Sequence, residues 1–168
     1  MKPAPKMLYM LMLTGSHDAA VPVRRTNPFN GEPVDVYPPA LTDAENAEAE
    51  RLLARHGARC EGRRHVLQLG DGTAVEVVAG VDDGEPGRWS VSFGAYLQHL
   101  SRDAMRFLFE LCDAGSFILE GADVGVVTRA AVMDQHCDDG FVLVRSPEAL
   151  EILMKEGRSA YAKHVGSS

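Results

Sequence analysis

The densest run of candidate metal ligands in this chain is Asp134-Gln135-His136-Cys137-Asp138-Asp139. Carboxylate, imidazole and thiolate all bind divalent cations, but the spacing argues against a site. Structural zinc centres pair their ligands as C-x₂₋₄-C or H-x₃₋₅-H, and neither pair occurs here. The glycine and terminal glutamate of a calcium loop do not follow at their offsets. The run therefore reads as an acidic hairpin loop closed by Gly140, and no metal or other cofactor is expected. A cysteine nucleophile needs a stabilised thiolate. Cys137 has Asp134, Asp138 and Asp139 beside it, which oppose that charge. Cys112 falls on the apolar face of a predicted helix. Cys60, among Arg59, Arg63 and Arg64, has a better field but no identifiable base. Ser16-His17-Asp18 is contiguous, whereas catalytic triads assemble across a fold. The other histidines (His56, His65, His99, His136 and His164) have no partner legible in the sequence. Neither a G-x-G-x-x-G or P-loop pattern nor a G-x-S-x-G elbow occurs. No catalytic residue is predicted.

What remains is surface chemistry. Arg51, Arg55 and Arg59 recur every four residues and Arg63-Arg64 follow, a stripe able to meet phosphate. The chain as a whole carries −7 with a pI near 5.3. A solvated helix face is the better reading, and neither nucleic acid nor an anionic membrane is an expected partner. Between Val66 and Gly140 thirteen acids face four arginines. Such an imbalance suits a basic partner. Phe29 and Tyr37 stand in a proline-rich stretch with little local core to join. Asp82, Asp83, Glu85, Asp134, Asp138 and Asp139 could frame them. An aromatic anchor within an acidic rim is a protein-binding surface. The competing reading is that both rings pin the long loop onto the domain.

The elements that must position these groups follow from periodicity. A length of 168 residues suits one domain, 1–168, large enough to bury its own core. Met7 to Leu13 is apolar throughout, which predicts a central strand buried on both faces rather than a secretory leader. From about 18 to 40 five prolines and Asn30-Gly31 mark a long connection, with Pro22-Val23 and Val34 to Tyr37 as short extended pieces. Thr42-Asp43-Ala44-Glu45 is a capping box, so a helix is expected from there to His56, stopped by Gly57. Val66 to Leu69 and Ala74 to Val78 flank an Asp-Gly hairpin turn. Trp89 to Phe93 alternates as a half-buried strand, with Tyr96-Leu97-Gln98 as a turn after it. A second helix is expected from Arg102 to Ala114, capped by Ser101 and ended by Gly115. Strands follow at Phe117 to Leu119, Val124 to Val132 and Phe141 to Val144. A third helix opens at Ser146-Pro147-Glu148, with Leu150, Leu153, Met154, Tyr161 and Val165 on one stripe and Gly157 as a weak point. The order is β-α-β-β-β-α-β-β-β-α. It predicts an α+β domain: a mostly antiparallel sheet of about six to seven strands with three helices on one face.

Two stretches carry a resemblance. Asn27-Pro28-Phe29-Asn30-Gly31-Glu32-Pro33 precedes the Leu41-Thr42-Asp43-Ala44-Glu45 helix start. Phe141 to Leu150 forms a strand-to-helix unit. In this layout the chain resembles the small acidic α+β immunity proteins of bacterial toxin systems. The resemblance implies a non-enzymatic protein that binds a cognate, often basic, toxin, and it assigns no residue. Three unpaired cysteines suit a reducing compartment, so a cytoplasmic location is expected. The alternative is a small-molecule-binding or enzymatic domain with a pocket between sheet and helices near His65, Trp89, His99 and His136. A homodimer through an exposed strand edge is a third arrangement. If the acidic loop steers a basic partner, replacing Asp82, Asp83 and Glu85 by serine should slow association at low salt. Unchanged stopped-flow rates would remove that loop as the steering surface.

Overall fold

The structure is a computed structural model that describes residues 6–18, 22–37, 39–62, 64–78, 93–121, 124–136 and 141–166. Strand β1 (Tyr9–Thr14) leads into four short strands: β2 (His17–Asp18), β3 (Val23–Thr26), β4 (Pro33–Val36) and β5 (Pro39–Ala40). Helix α1 (Asp43–Arg55) precedes β6 (Arg59–Glu61), β7 (Arg64–Gln68), β8 (Ala74–Val78) and β9 (Phe93–Leu97). Helix α2 (Arg102–Gly115) precedes β10 (Ile118–Gly121) and β11 (Val124–Val127). Helix α3 (Ala130–His136), β12 (Phe141–Leu143), α4 (Pro147–Glu156) and α5 (Arg158–Gly166) complete the chain. The architecture is α+β. Eight strands form one sheet in the order β12-β11-β10-β1-β9-β8-β7-β6, and β2–β5 and β3–β4 form two small ladders. The strand and helix numbers exceed the six to seven and three expected from the sequence. The proline-rich stretch holds four short strands, of which β3 and β4 overlap the expected extended pieces and β2 and β5 do not; α3 falls where a strand is expected, and α5 is split from the third expected helix.

The capping signals hold in detail. The Thr42 hydroxyl accepts from the Glu45 amide, and the Glu45 carboxylate accepts from the Thr42 amide. Ser101 and Ser146 cap α2 and α4 through the amides of Ala104 and Ala149. The β7–β8 hairpin closes through the Leu69 amide to Thr73, with Gly72 at φ +88 in the left-handed region that glycine tolerates. Gly157, at φ +90, breaks the last helical stretch into α4 and α5. Val165, beyond that break, is exposed, so the stripe expected to include it ends earlier. Tyr161 still packs on the core, and its hydroxyl donates to the Leu143 carbonyl at 2.6 Å.

One face of the sheet is buried. Leu11 and Leu13 of β1, Val75 and Val77 of β8, and Ala95 and Leu97 of β9 meet Met105, Leu108 and Leu111 of α2. Leu52 and Leu53 of α1 and Leu150 and Leu153 of α4 join the same cluster. Among the described residues the opposite face is covered at one end only, where Ile118, Val127, Phe141 and Leu143 pack beneath Val132 and Met133 of α3. β1 is central as its apolar run predicts, between β10 and β9. It is not buried on both faces: Met10 and Met12 are 56% and 36% exposed. Periodicity cannot show this, because an all-apolar strand reads alike whether or not its second face is covered.

Two further expectations change. Val124 to Val132 is not one strand; the chain turns after Val127 and enters α3. The reason is topological. β11 and β12 are parallel, and a parallel pair needs a crossover where a hairpin cannot serve. The acidic run from Asp134 is therefore no hairpin loop: Asp134 is exposed on α3, and residues 137–140 lie outside the described residues. Tyr96 and Leu97 belong to strand β9 and form no turn, while Trp89 to Ser92 lie outside the described residues.

Gly115 ends α2 for a reason of space. It is the last helical residue, and Ser116 after it takes the left-handed cap, φ 51 and ψ 41. A Cβ on Gly115 would overlap the ring of Phe117, which is itself 1% exposed. Gly115→Ala should lower stability by about 1–3 kcal/mol, the cost of overpacking, despite alanine's better helix propensity. An unchanged or raised urea midpoint would show that the ring can yield.

Candidate functional site

Between β1 and α1 the described residues 15–18, 22–37 and 39–41 form two short ladders, together a ribbon apart from the large sheet. At its base His17 pairs with Ala40 and Asp18 with Pro39. Farther out Val23 pairs with Val36, Arg24 with Asp35, Arg25 with Val34 and Thr26 with Pro33. Pro33 has no amide to donate, which suits the first residue of a two-stranded ladder. Arg24 and Asp35 meet across the strands at 3.3 Å. Both are exposed, and such a pair contributes at most about 1 kcal/mol. Every residue of β4 is exposed, as are Arg24, Arg25 and Thr26 of β3. The outer ladder thus stands in solvent.

The tip is built by local hydrogen bonds. The Asn27 carboxamide accepts from the Phe29 amide at 2.9 Å, and that of Asn30 from the Glu32 amide at 3.0 Å. The Asn27 amide donates to the Glu32 carbonyl and the Gly31 amide to the Asn27 carbonyl, both at 2.8 Å. Gly31 takes φ +73. Asparagine side chains that close turns on their own backbone are what this geometry needs. The consequence is that Phe29 is presented at 96% exposure. Val34 and Val36 (41% and 42% exposed) share one side of the ribbon, and Tyr37 (53%) follows β4. Phe29 and Tyr37 lie beyond opposite ends of β4, whose four residues alone span roughly 13 Å. The two rings flank an apolar strip instead of forming one cluster. Neither is the pin that would hold a loop to the core.

The base, in contrast, is tied to the body. His17 Nε2 lies 3.0 Å from a Glu45 carboxylate oxygen. That same carboxylate closes the α1 capping box and is hydrogen-bonded to Ser116 at the end of α2. Glu45 thereby joins β2 to two helix termini. Its double duty was invisible in the sequence, where His17 and Glu45 are 28 residues apart. Ser116 holds a left-handed conformation that costs a non-glycine residue on the order of 1 kcal/mol, and its bond to Glu45 is one return for it. Burial raises the Glu45 carboxyl. The bonds from Ser116, the Thr42 amide and His17, with the charge of His17, outweigh it and hold the group below the usual carboxylate range.

The remaining candidates that the structure describes are dispersed. Asp82, Asp83, Glu85, Asp138 and Asp139 lie outside the described residues, and Asp134 is exposed on α3. His65 is half-buried beside Val77, while His99 follows Gln98, which bonds to Ala74 at the other end of β8. His56 lies 3.6 Å from Glu110 and edge-on to Phe107. Cys112 is buried, and burial pushes its thiol well above the usual range. Cys60 is exposed on β6. A hollow of about 120 Å³ is lined by His56, Leu69, Gly70, Asp103, Arg106 and Phe107; sites for drug-sized ligands usually exceed about 300 Å³. Among the described residues no three of His, Cys, Asp and Glu are grouped to hold a metal ion, and no helix is long and apolar enough to cross a membrane.

Comparison with protein-family models, with curated proteins and with solved structures finds no match to this chain. The site's own geometry carries the functional reading.

The Glu45 junction makes a pH prediction. A carboxyl held low in the folded state contributes stability that is full above its unfolded value, near about 4.3. That contribution is lost as pH falls through the lower folded value. Glu45→Gln should reduce stability at pH 7 by about 1 kcal/mol and flatten the acid limb of the stability curve below about pH 5. Urea titrations from pH 7 to 3 that show the same acid slope in both proteins would deny Glu45 this role.

Proposed function

We propose that this chain is a non-enzymatic cytoplasmic binding protein of the immunity type, one that holds a cognate basic toxin with the tip of its ribbon. The observation that carries the reading is the 96% exposure of Phe29 on a turn whose hydrogen bonds are all its own. A phenyl ring held in water at a preformed position loses little conformational freedom on binding, and burying it returns about 1.5–3 kcal/mol. Val34, Val36 and Tyr37 extend the apolar contact along the ribbon. The net charge of −7 favours encounter with a basic partner and makes the association rate fall with salt.

The ribbon's two ends divide the labour. Anchoring through His17 and Glu45 fixes where the ribbon starts, and the asparagine-closed tip fixes how Phe29 is offered. Binding through such a device needs no pocket and no reacting group.

The test compares tagged wild-type protein with Phe29→Ala for retention of a stoichiometric basic protein from the source cell lysate. Loss of at least about tenfold in affinity on Phe29→Ala is expected, the effect of removing a central aromatic anchor. A partner retained equally by both proteins places the contact elsewhere. A retained partner that is acidic, or a nucleic acid, contradicts the proposed chemistry.

A further inference from the structure

The part of the sheet face left uncovered by the described residues has an internal symmetry in its side chains. Register partners across six strands form one row: Glu120 on β10, Met12 on β1, Gly94 on β9, Val78 on β8, Arg64 on β7 and Glu61 on β6. Counted outward from Gly94, the first neighbours are Met12 and Val78, both apolar. The second neighbours are Glu120 and Arg64, of opposite charge. All of these lie on the face opposite Leu11, Leu13, Val77 and Ala95, because alternate residues of a strand point to opposite faces. Met12 is 36% exposed, the Arg64 side chain is half exposed and Glu120 is exposed. At Gly94 the ring of Tyr96 lies close over the backbone: a Cβ at 94 would sit 3.1 Å from Tyr96 Cε2. The centre of the row is therefore flat.

We infer that this face packs against the same face of a second copy, about a two-fold axis running along β9 over Gly94. An isologous contact requires that a surface complement itself, and this row does. Rotation about that axis sets Glu120 of each copy over Arg64 of the other and Met12 over Val78, each contact occurring twice. In the next row Tyr96 lies on the axis and Met10, 56% exposed, meets the position of Glu76. The Glu76 carboxylate is already drawn aside to Arg64 Nε at 2.6 Å. A guanidinium has five N–H donors in a planar fork, so serving Glu76 through Nε does not exhaust Arg64. Helix α3 walls the face beyond β10, where Ile118 and Val127 are covered, and so limits how far the second copy can slide.

The size of the patch sets the strength. Five strands about 4.8 Å apart, with three rows about 6.8 Å apart, offer on the order of 500 Å² per copy. The total of roughly 1,000 Å² is the lower bound for a specific interface. The dimer is accordingly weak and assembles at micromolar concentration or above.

Sedimentation velocity of the full chain from about 1 to 200 μM tests this. Wild type should dimerise reversibly. Glu120→Arg and Arg64→Glu should each weaken the dimer by at least about tenfold, since like charges then face each other twice. An equimolar mixture of the two variants should recover dimer, because every facing pair is again of opposite sign. Recovery on mixing is an effect that a merely local structural role cannot produce. A wild type that stays monomeric throughout overturns the inference. So does a dimer indifferent to both substitutions, or a mixture that fails to recover. If Arg64→Glu fails to fold, shown by circular dichroism, Met12→Ser takes its place: a dimer weakened by it and by Glu120→Arg supports the face, and an unaltered dimer overturns it.

Discussion

The structure depends on burial of one face of the large sheet. Leu11, Leu13, Val75, Val77, Ala95 and Leu97 are each under 5% exposed, and they meet helices whose inward residues are as fully enclosed. Each large aliphatic side chain so buried contributes about 1.5–3 kcal/mol. No polar pair among the described residues approaches their sum. Everything else is placed by this contact. The capping residues set where α1, α2 and α4 begin, and the apolar stripes of those helices set how they lie on the strands. Because the helices gather on one side, among the described residues the other side is left to a single crossover helix at one end.

What was legible in the sequence was whatever is decided locally. Thr42, Ser101 and Ser146 mark helix starts because a hydroxyl must meet an amide two or three residues on. The β7–β8 turn is legible because Gly72 must take a positive φ. Less legible was anything decided across the fold. Met10 and Met12 read as core because hydrophobicity records what a residue tolerates, not what covers it. Residues 128–132 read as strand because β-branched residues surround them; only the parallel pairing of β11 with β12 demands a helix there. Gly115 read as a cap by conformation, whereas its lack of a side chain serves the Phe117 ring. Of the candidate surface, Phe29 and Tyr37 could be picked out as aromatics without a local core. That Asn27 and Asn30 would fold the tip back on itself is also local, yet that the ribbon would stand clear of the body is not.

The ribbon and the open face present two different kinds of exposed apolar surface. Phe29 is a single projecting ring on a narrow support, suited to a concave partner. Met10, Met12 and Tyr96 lie on a broad, gently twisted plane, suited to another plane. Glu45 keeps the two apart mechanically, since it fastens the ribbon's base to the ends of α1 and α2, on the layer away from the open face. Contact at one surface need not disturb the other.

The break at Gly157 has a consequence for how the sheet ends. It lets α5 set off in a new direction, and from there the Tyr161 hydroxyl reaches the Leu143 carbonyl of β12. Among the described residues β12 is the last strand on its side, with one row of backbone groups facing no neighbouring strand. A bare row of this kind invites addition of foreign strands and, through them, aggregation. Tyr161 occupies an acceptor that an incoming strand would need. At the far margin β6 is three residues long and carries Arg59 and Glu61, which makes it a poor template by brevity and charge. The sheet is therefore closed to lateral growth at both ends by two unlike devices, and association is directed to its faces and its ribbon.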